Sequence, residues 1–282
     1  MKFRNCPHIL ISFLILGFIF LQACSPERKV ANVFIKSPHV LNLLVIPPDN
    51  VLKYNHKGES IEDFDELSEK GQDSALWVNS RYIQFLSDSL LLENYMNNFI
   101  GELRTLGFNV YLADAIDSFM TEKPQSYVLD IAQMQLDEYY YPLEDKEAYM
   151  DTVYYKKTNL NAVDFGCWFD LSKANTENAR KTVLYSNATS YDSFEGRFFN
   201  DPFTGRVHYK SKIDTLMVKD VYEMATYLGK KHAGYLFDFF MNQYIAKHLP
   251  NGMQMQDYFH YNREHQSFFP AEDDRFEILK SK

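Results

Sequence analysis

The chain has 282 residues, of which 46% are hydrophobic and 16% aromatic, and its formal net charge is −9. This length and apolar content are those of a folded protein with one large domain or two small ones. The negative charge argues against nucleic acid or an anionic membrane surface as a partner, since both are bound through basic patches.

The first 23 residues have the three parts of a secretory signal peptide. Lys2 and Arg4 form a short basic head, an apolar run follows over residues 9–20, and Ala23 supplies a small residue at the cleavage point. The run is too short to cross a bilayer comfortably. We therefore predict that residues 1–23 are removed. Because Lys2 and Arg4 leave with them, the net charge changes from −9 to −11.

Residues 21–24 read Leu-Gln-Ala-Cys, which resembles the lipobox of bacterial lipoproteins. The resemblance implies that Cys24 becomes the first mature residue and carries lipid acyl chains such as palmitate. It also implies the outer membrane, because Ser25 stands where an inner-membrane retention signal has aspartate. The alternatives are an uncleaved anchor or an ordinary secretory signal. Only Cys167 keeps a free thiol in the mature domain, so no intramolecular disulfide is expected.

Residues 24–40 are predicted as a lipidated tether, and residues 41–250 as the folded domain. The domain opens with a continuous apolar run, residues 41–46, that two prolines end. Such a run is typical of a buried central strand. The polar residues 49–73 predict a long loop.

A long helix is predicted next, over residues 77–106, from apolar residues at helical spacing. These residues are Phe85, Leu86, Leu90, Tyr95, Met96, Phe99, Leu103 and Leu106. Gly107 follows at the position where a left-handed backbone favours glycine, and residues 108–111 then read as a strand. Strand, helix and strand in this order predict a βαβ unit.

From residue 126 onward the pattern changes to β. Strands are predicted over residues 127–136, 161–171 and 181–189, with a turn at 175–178 before the last, and a hairpin over 198–217. In the second strand, five apolar residues alternate with the polar-face residues Ala162, Asp164, Gly166, Trp168 and Asp170. Cys167 lies on the apolar face, so we predict a buried and unreactive thiol.

A second long helix is predicted from an N-cap at Asp220 to about residue 248. Three adjacent residues on it, Lys230, Lys231 and His232, form a basic cluster that we expect to be exposed to solvent. No internal repeat is evident in the chain.

The order of these elements predicts an α+β fold. We expect a mixed sheet with a βαβ start, antiparallel strands and a long C-terminal helix packed on one face. This order resembles that of small α/β domains in envelope proteins, namely the curli-secretion lipoprotein and the N-terminal domain of the Tol-system propeller protein. The resemblance covers residues 41–249 and concerns the fold alone.

Residues 251–282 are predicted as a polar tail with several aromatic residues. His260, Glu264 and His265 lie close together there, but a helical zinc motif has two histidines four residues apart. We therefore predict no metal site, and we predict no cofactor.

Three acidic residues are candidates for a catalytic role. Asp130, Asp137 and Glu138 could supply paired carboxylates, although strand alternation permits Asp130 to lie on a polar face. A hydrolase site could be built from scattered acids and histidines, among them Asp130, Glu264 and His265. Because no nucleophile or phosphate-binding motif accompanies them, we predict no catalytic residues.

The run Tyr139, Tyr140 and Tyr141, followed by Pro142, is the predicted contact patch. Tyrosine combines apolar area with a hydroxyl and is favoured at binding surfaces. Since proline ends a strand, we expect the three rings near a sheet edge. The alternative is that they cover the end of a sheet.

Four Asp-(Ser/Thr)-apolar triplets that end in Ala, Leu or Val resemble the acceptor for O-glycosylation of exported proteins in Bacteroidota. Their hydroxyl residues are Ser74, Ser89, Thr152 and Thr215. Ser89 lies inside the predicted helix, so Ser74, Thr152 and Thr215 are the predicted sites.

These observations predict a lipid-anchored envelope protein that faces the periplasm and has a non-catalytic assembly or interaction role. Its expected partners are the outer-membrane bilayer, reached through the lipid on Cys24, and an envelope protein. Two alternatives are an envelope hydrolase with a site of scattered acids and histidines, and a module that binds a glycan or small ligand through its Tyr and Trp faces.

Overall fold

The structure, a computed structural model, describes residues 25–36, 41–121, 125–174, 181–271 and 275–279. The predicted signal peptide, Cys24 and the turn expected at residues 175–178 lie outside the described residues. The chain divides into two units. The larger contains Leu41–Ala233 and the segment from Phe276 onward, and the smaller contains Gly234–Arg275 and the residues before Leu41.

The described helices are α1 (Pro26–Lys36), α2 (Glu69–Val78), α3 (Asp88–Thr105), α4 (Ile116–Thr121) and α5 (Val218–His248). The described strands are β1 (Asn42–Ile46), β2 (Leu52–Asn55), β3 (Asn109–Tyr111), β4 (Ser126–Tyr149), β5 (Thr152–Lys173), β6 (Thr182–Tyr191), β7 (Ser193–Asn200), β8 (Val207–Asp214), β9 (Phe259–Asn262), β10 (Ser267–Pro270) and β11 (Glu277–Leu279). Among the described helices, none is long and apolar enough to span a membrane.

The larger unit is built on a mixed sheet that has seven strands within the described residues. The strand order is β11-β6-β5-β4-β1-β3, and β2 also pairs with β4. β1 runs parallel to β3 and β4, whereas β4, β5, β6 and β11 pair in antiparallel order. Because α3 lies between the parallel strands β1 and β3 in the chain, the predicted βαβ start and the α+β class are confirmed.

The core lies on one face of this sheet, beneath α3 and the first half of α5. Four side chains of β5 point into it and are almost fully buried: Val163, Phe165, Cys167 and Phe169. Tyr95 and Phe99 of α3 stack on the phenylalanines of β5, and His232 of α5 packs edge-on against Phe169. The alternation predicted for residues 161–171 is therefore confirmed.

Of our two predictions about titratable residues in this core, one is confirmed and the other is wrong. Cys167 is buried as predicted, and burial raises the pKa of its thiol. His232, which we expected in an exposed basic cluster, is fully buried, with Nδ1 2.8 Å from the Tyr95 hydroxyl. The expectation was wrong because His232 lies one helical turn after Leu228, on the buried side of α5. Lys230 of the same cluster is exposed.

The helix predicted over residues 77–106 is shorter than expected. α3 begins at Asp88, and Ser87 caps it by accepting a hydrogen bond from the Leu90 amide. Phe85, assigned to the helical stripe, precedes α3 and is 63% exposed. The predicted end is confirmed, since Gly107 has a φ of 94°.

The segment predicted as a loop, residues 49–73, contains secondary structure. β2 pairs with β4, two short 3-10 turns follow, and α2 begins at Glu69 with Ser68 as its N-cap. At the other long helix, α5 begins at Val218, two residues before the expected N-cap. Asp220 lies in the first turn, where its carboxylate accepts a hydrogen bond from the Met217 amide.

β4 and β5 are much longer than predicted, with 24 and 22 residues. Pro142 does not end β4 but lies within it, opposite Asn159 of β5. β4 pairs with β5 along one side and with β2 along the other, but the pairing with β2 ends at Glu138. At Pro142 the side of β4 away from β5 therefore has no strand partner among the described residues. Proline is tolerated there because the edge needs no ladder hydrogen bond. The predicted hairpin is present as β7 and β8.

The smaller unit contains α1, the second half of α5 and the hairpin of β9 and β10. α1 occupies residues that we predicted as a tether, and its Phe34 packs on Phe237 and Tyr244 of α5. The expected polar tail, residues 251–282, also differs: it contains β9 and β10, and its β11 joins the sheet of the larger unit. In both segments the apolar side chains form contacts with residues distant in sequence.

Candidate functional site

The sheet of the larger unit has a second face, opposite the core, which we call the open face. Strand alternation and register bring its residues from β2, β4, β5 and β6 onto one surface. They are Tyr54, His56, Gln133, Gln135, Asp137, Tyr139, Tyr141, Ala162, Asp164, Gly166, Trp168, Tyr185, Asn187, Thr189 and Tyr191. The polar face predicted for β5 forms the middle of this surface.

An aromatic pair lies at one end of the open face. Trp168 of β5 and Tyr185 of β6 are opposite each other, with ring centroids 4.6 Å apart. A Cβ atom placed on Gly166 would lie 3.0 Å from Cζ3 of Trp168. The indole therefore lies across the backbone of Gly166, and the absence of a side chain there permits this position. Both rings of the pair are half-buried.

A second aromatic pair lies further along β6 and takes its other ring from β4. Tyr141 and Tyr191 stack almost in parallel, with ring centroids 4.8 Å apart and 6° between the ring planes. Tyr191 lies opposite Ala162, which is fully buried. Tyr191 is six positions after Tyr185 in β6, which at roughly 3.3 Å per residue places the backbones of the two tyrosines about 20 Å apart.

Polar side chains of β4 form a continuous chain between the aromatic pairs. Gln133 donates to Gln135 at 2.8 Å, and Gln135 donates to Asp137 Oδ2 at 2.7 Å. The other oxygen of Asp137 lies 2.7 Å from Nε2 of His56, which is 57% exposed. These contacts orient the carboxylate of Asp137 at the centre of the open face.

Asp164 of β5 lies opposite Asp137 and is also oriented by neighbours. Its carboxylate accepts hydrogen bonds from the Thr189 hydroxyl at 2.7 Å and from the Asn187 amide at 3.2 Å. Partial burial, together with the negative charges of Asp164, Asp137 and Glu277, raises the pKa of the Tyr185 hydroxyl. The open face is therefore acidic as well as aromatic.

A cleft of about 600 Å³ adjoins the open face at His56. Ile61, Phe64 and Leu76 contribute apolar walls, and the lining also includes four acidic residues: Glu59, Asp63, Asp65 and Glu66. The segment that forms the cleft follows β2, so the cleft continues the acidic surface past the edge of the sheet.

On the core side of the same strands, Lys57 and Glu138 form a buried ion pair. Their charged atoms are 2.7 Å apart, and the two side chains are 4% and 0% exposed. Glu138 also accepts hydrogen bonds from the backbone amides of Arg81, Tyr82 and Ile83. This network explains why the predicted long helix is interrupted: the amides around residue 82 bind a carboxylate instead of continuing a helix.

The network continues from Lys57 to Asn161 and Asp192. Lys57 Nζ donates to Asn161 Oδ1 at 2.9 Å, and Asn161 donates to Asp192 through its backbone and side chain. Burial acts to raise the pKa of Asp192, but hydrogen bonds from Asn161 and Leu216 outweigh it, so the pKa lies below its ordinary value. Asp137 and Glu138, which we considered as possible paired carboxylates, do not form a pair, because adjacent strand residues lie on opposite faces.

The same alternation divides the predicted tyrosine patch. Tyr139 and Tyr141 lie on the open face, whereas Tyr140 lies on the other side with its ring centroid 4.8 Å from Lys57 Nζ. The three residues therefore do not form one contact surface. Two of them instead contribute to a surface that also includes β5 and β6.

The histidines and acids of the predicted tail lie in the smaller unit. Nδ1 of His260 is 2.7 Å from Asp238, which is 1% exposed and also accepts a hydrogen bond from the Tyr261 amide. Glu264 and His265 lie exposed in the turn between β9 and β10. Among the described residues, no group of three or more His, Cys, Asp or Glu side chains is arranged to hold a metal ion.

Asp130 and the predicted glycosylation sites also belong to the larger unit. Asp130 is half-buried, opposite Asp170 of β5. Ser74 of α2 and Thr152 of β5 are exposed, and Thr215, which follows β8, is half-buried. The hydroxyl of Ser74 and that of Thr152 are therefore open to solvent for modification, which stays a prediction.

Sequence reasoning placed Asp164, Gly166 and Trp168 on one strand face but did not identify their neighbours. Their neighbours Tyr185 and Tyr191 could not be identified, because the sequence does not give the register between β5 and β6. No family model matches this chain, and no curated protein matches it either.

Proposed function

We propose that this chain is a non-catalytic binding protein of the bacterial envelope and that the open face of its sheet is the binding surface. A lipid on Cys24 holds it in the outer membrane, and the folded part faces the periplasm. The signal-peptide pattern and the Leu-Gln-Ala-Cys motif support the anchoring.

The main support for a binding role is that an aromatic pair lies at each end of a polar strip on the open face. The solvent face of an antiparallel sheet is ordinarily polar. Here Trp168 and Tyr185 lie at one end and Tyr141 and Tyr191 at the other. Aromatic rings are concentrated at binding surfaces because they offer a large contact area with few rotatable bonds.

The environment of the buried acids supports binding rather than catalysis. Glu138 is engaged by Lys57 and three backbone amides, and Asp238 is engaged by His260 and a backbone amide. Such contacts hold segments of the chain together.

The two tryptophans of the chain allow a direct test of the proposed surface. Trp77→Phe leaves Trp168 on the open face as the single reporter, and Trp168→Phe leaves Trp77, which is 46% exposed on α2. Each full-length variant is purified in detergent, and acrylamide quenching of its fluorescence is measured with and without an extract of the bacterial envelope. We expect the extract to lower the quenching constant of Trp168 at least twofold.

Trp77 is the matched control for this measurement. Its quenching should change little, because Trp77 belongs to α2 and is neither on the open face nor in the lining of the adjoining cleft. If the extract protects neither tryptophan, or protects both equally, the open face is not the binding surface.

A further inference from the structure

The chemistry of the open face fits the two kinds of surface that a sugar ring presents. A pyranose has an apolar face of C–H groups and a rim of hydroxyls. The half-buried indole of Trp168, fixed across Gly166 and beside Tyr185, offers a flat apolar surface for the C–H face. Amide groups for the hydroxyl rim adjoin it at Gln135 and Asn187, which lie on either side of Gly166 in the sheet.

The two central carboxylates retain the capacity to bind hydroxyl groups. Asp137 receives hydrogen bonds from Gln135 and pairs with His56, whereas a carboxylate has about four lone-pair sites. Asp164 is similarly oriented by Asn187 and Thr189. Both acids are thus positioned in advance to accept hydrogen bonds from a ligand, which lowers the entropy cost of binding.

The spacing of the aromatic pairs indicates an extended ligand. Tyr185 and Tyr191, one from each aromatic pair, are six positions apart on β6, a backbone distance of about 20 Å at roughly 3.3 Å per residue. A single sugar ring cannot reach both pairs, whereas a chain of several rings can lie along the strip between them.

The charge of the open face restricts the ligand further. Asp137 and Asp164 lie at its centre, with Glu277 at the β11 edge. The nearby Lys181 is already paired with Asp170, at 2.9 Å. An acidic surface repels phosphate, sulfate and carboxylate groups, as well as acidic peptides.

From these observations we infer that the open face binds a neutral carbohydrate chain of several pyranose rings. The inference rests on the proposed binding function and specifies the chemical class of the ligand. A protein partner would be recognised by a different combination, with a buried apolar centre and a polar rim, whereas here the polar groups lie at the centre and the aromatic pairs at the ends.

The test uses the full-length Trp77→Phe protein in detergent, with Trp168 as the reporter. Its probe is the envelope extract in three forms: untreated, digested with proteinase K, and oxidised with periodate, which cleaves the vicinal diols of sugars. We expect proteinase K to leave the protection of Trp168 intact and periodate to abolish it. An anion-exchange column should leave the protecting material in the unbound fraction.

The outcomes separate the inference from the proposed function. Protection that survives periodate but not proteinase K identifies a protein ligand, so the carbohydrate inference fails while the open face remains a binding surface. Retention of all protecting material on the anion exchanger also overturns the inference. Absence of protection by the untreated extract overturns the proposed function itself.

Variants in the Trp77→Phe background then locate the binding groups, with proteinase K-treated extract as the probe. Tyr191→Ala should raise the half-saturating amount of extract at least fivefold, because the second aromatic pair is lost. Asp164→Asn should raise it as well. Tyr227→Ala is the matched control, since Tyr227 is 61% exposed on α5, away from the open face, and its removal should change nothing.

A further variant tests the position of the indole while keeping Trp168 in place. Gly166→Ala adds a methyl group 3.0 Å from the ring and displaces it, so the half-saturating amount should rise at least fivefold. Circular dichroism checks that each variant is folded. Unchanged saturation in folded Tyr191→Ala and Gly166→Ala proteins would exclude the aromatic pairs from binding.

Discussion

Lys57 and Glu138 show how single residues fix the backbone of the larger unit. Taking two charges out of water is costly unless each has several good partners. Glu138 has Lys57 and three backbone amides, and Lys57 has Asn161 in addition. The pair therefore connects the end of β2, the turn around residue 82 and the strands β4 and β5.

The first prediction concerns this ion pair. Lys57→Met leaves Glu138 buried without its counter-ion, so we expect the free energy of unfolding to fall by about 3–5 kcal/mol. Adding Glu138→Gln should recover part of the loss, because a neutral amide needs no counter-ion. Urea denaturation at pH 7 measures both variants. Lys212→Met is the control: it removes an exposed ion pair and should change stability by less than about 1 kcal/mol.

The second prediction concerns His232, for which burial lowers the pKa to about 3 from an ordinary value of 6.5, with a smaller contribution from Lys231. Below pH 6.5 the unfolded chain binds a proton that the folded chain does not. The contribution of this residue to stability is therefore present above pH 6.5 and is lost as the pH falls towards 3, by up to about 1.4 kcal/mol per pH unit.

Urea denaturation at pH 7.5 and pH 5 tests this dependence. Between these values the unmodified protein should lose roughly 2 kcal/mol more stability than His232→Phe, which has no proton to bind. The comparison cancels the contributions of the other histidines. The same loss in both proteins would show that His232 is protonated in the folded state.

At the scale of elements, residues nearby in the sequence determine where the helices end, whereas they do not determine the break between α2 and α3. Ser68 and Ser87 cap α2 and α3, and Gly107 allows the chain to turn after α3. The break between α2 and α3 has no comparable local signal. It depends on Glu138, which lies more than 50 residues later in the chain.

The third prediction compares two glycines of the same helical region. A Cβ atom on either Gly101 or Gly107 would meet no neighbour within 4 Å, so packing does not distinguish them. Gly107 has a φ of 94°, so Gly107→Ala should destabilise the protein by about 1 kcal/mol. Gly101 lies in the helical body, and Gly101→Ala should stabilise by up to about 1 kcal/mol. Thermal denaturation reveals the opposite signs, and a shift in the same direction would contradict the argument.

At the scale of the whole molecule, the chain combines a predicted membrane anchor with a sheet that has two different faces. One face carries the core with α3 and α5, and the open face carries polar and aromatic groups. An anchored protein that exposes such a face suits a role in which it holds a ligand close to the membrane.

The fourth prediction concerns the anchor. The Leu-Gln-Ala-Cys motif follows the apolar core of the signal peptide directly, so Cys24→Ala should abolish incorporation of a labelled fatty acid. The protein should then move from the membrane fraction to the soluble fraction. Cys167→Ala is the control, because that thiol is buried in the folded domain and should not affect labelling. Continued labelling of Cys24→Ala in membranes would exclude the lipoprotein interpretation.

Local periodicity in the sequence was sufficient for the α+β class, the βαβ start, the two faces of β5 and the burial of Cys167. Each of these follows from side chains that alternate or recur within a few residues. The same patterns did not predict α1 and β11, and they predicted β4 and β5 too short. In those cases the partner that completes the element lies far away in the chain.

The open face was only partly accessible from sequence, and the buried ion pair was not. Trp168 and Asp164 could be assigned to one face of a strand, but their neighbours Tyr185 and Thr189 depend on the register between β5 and β6. Lys57 and Glu138 are 81 residues apart. A register is fixed by the packing of a whole sheet, and a shift of one residue exchanges its faces. For this reason the tertiary structure alone decided which side chains meet.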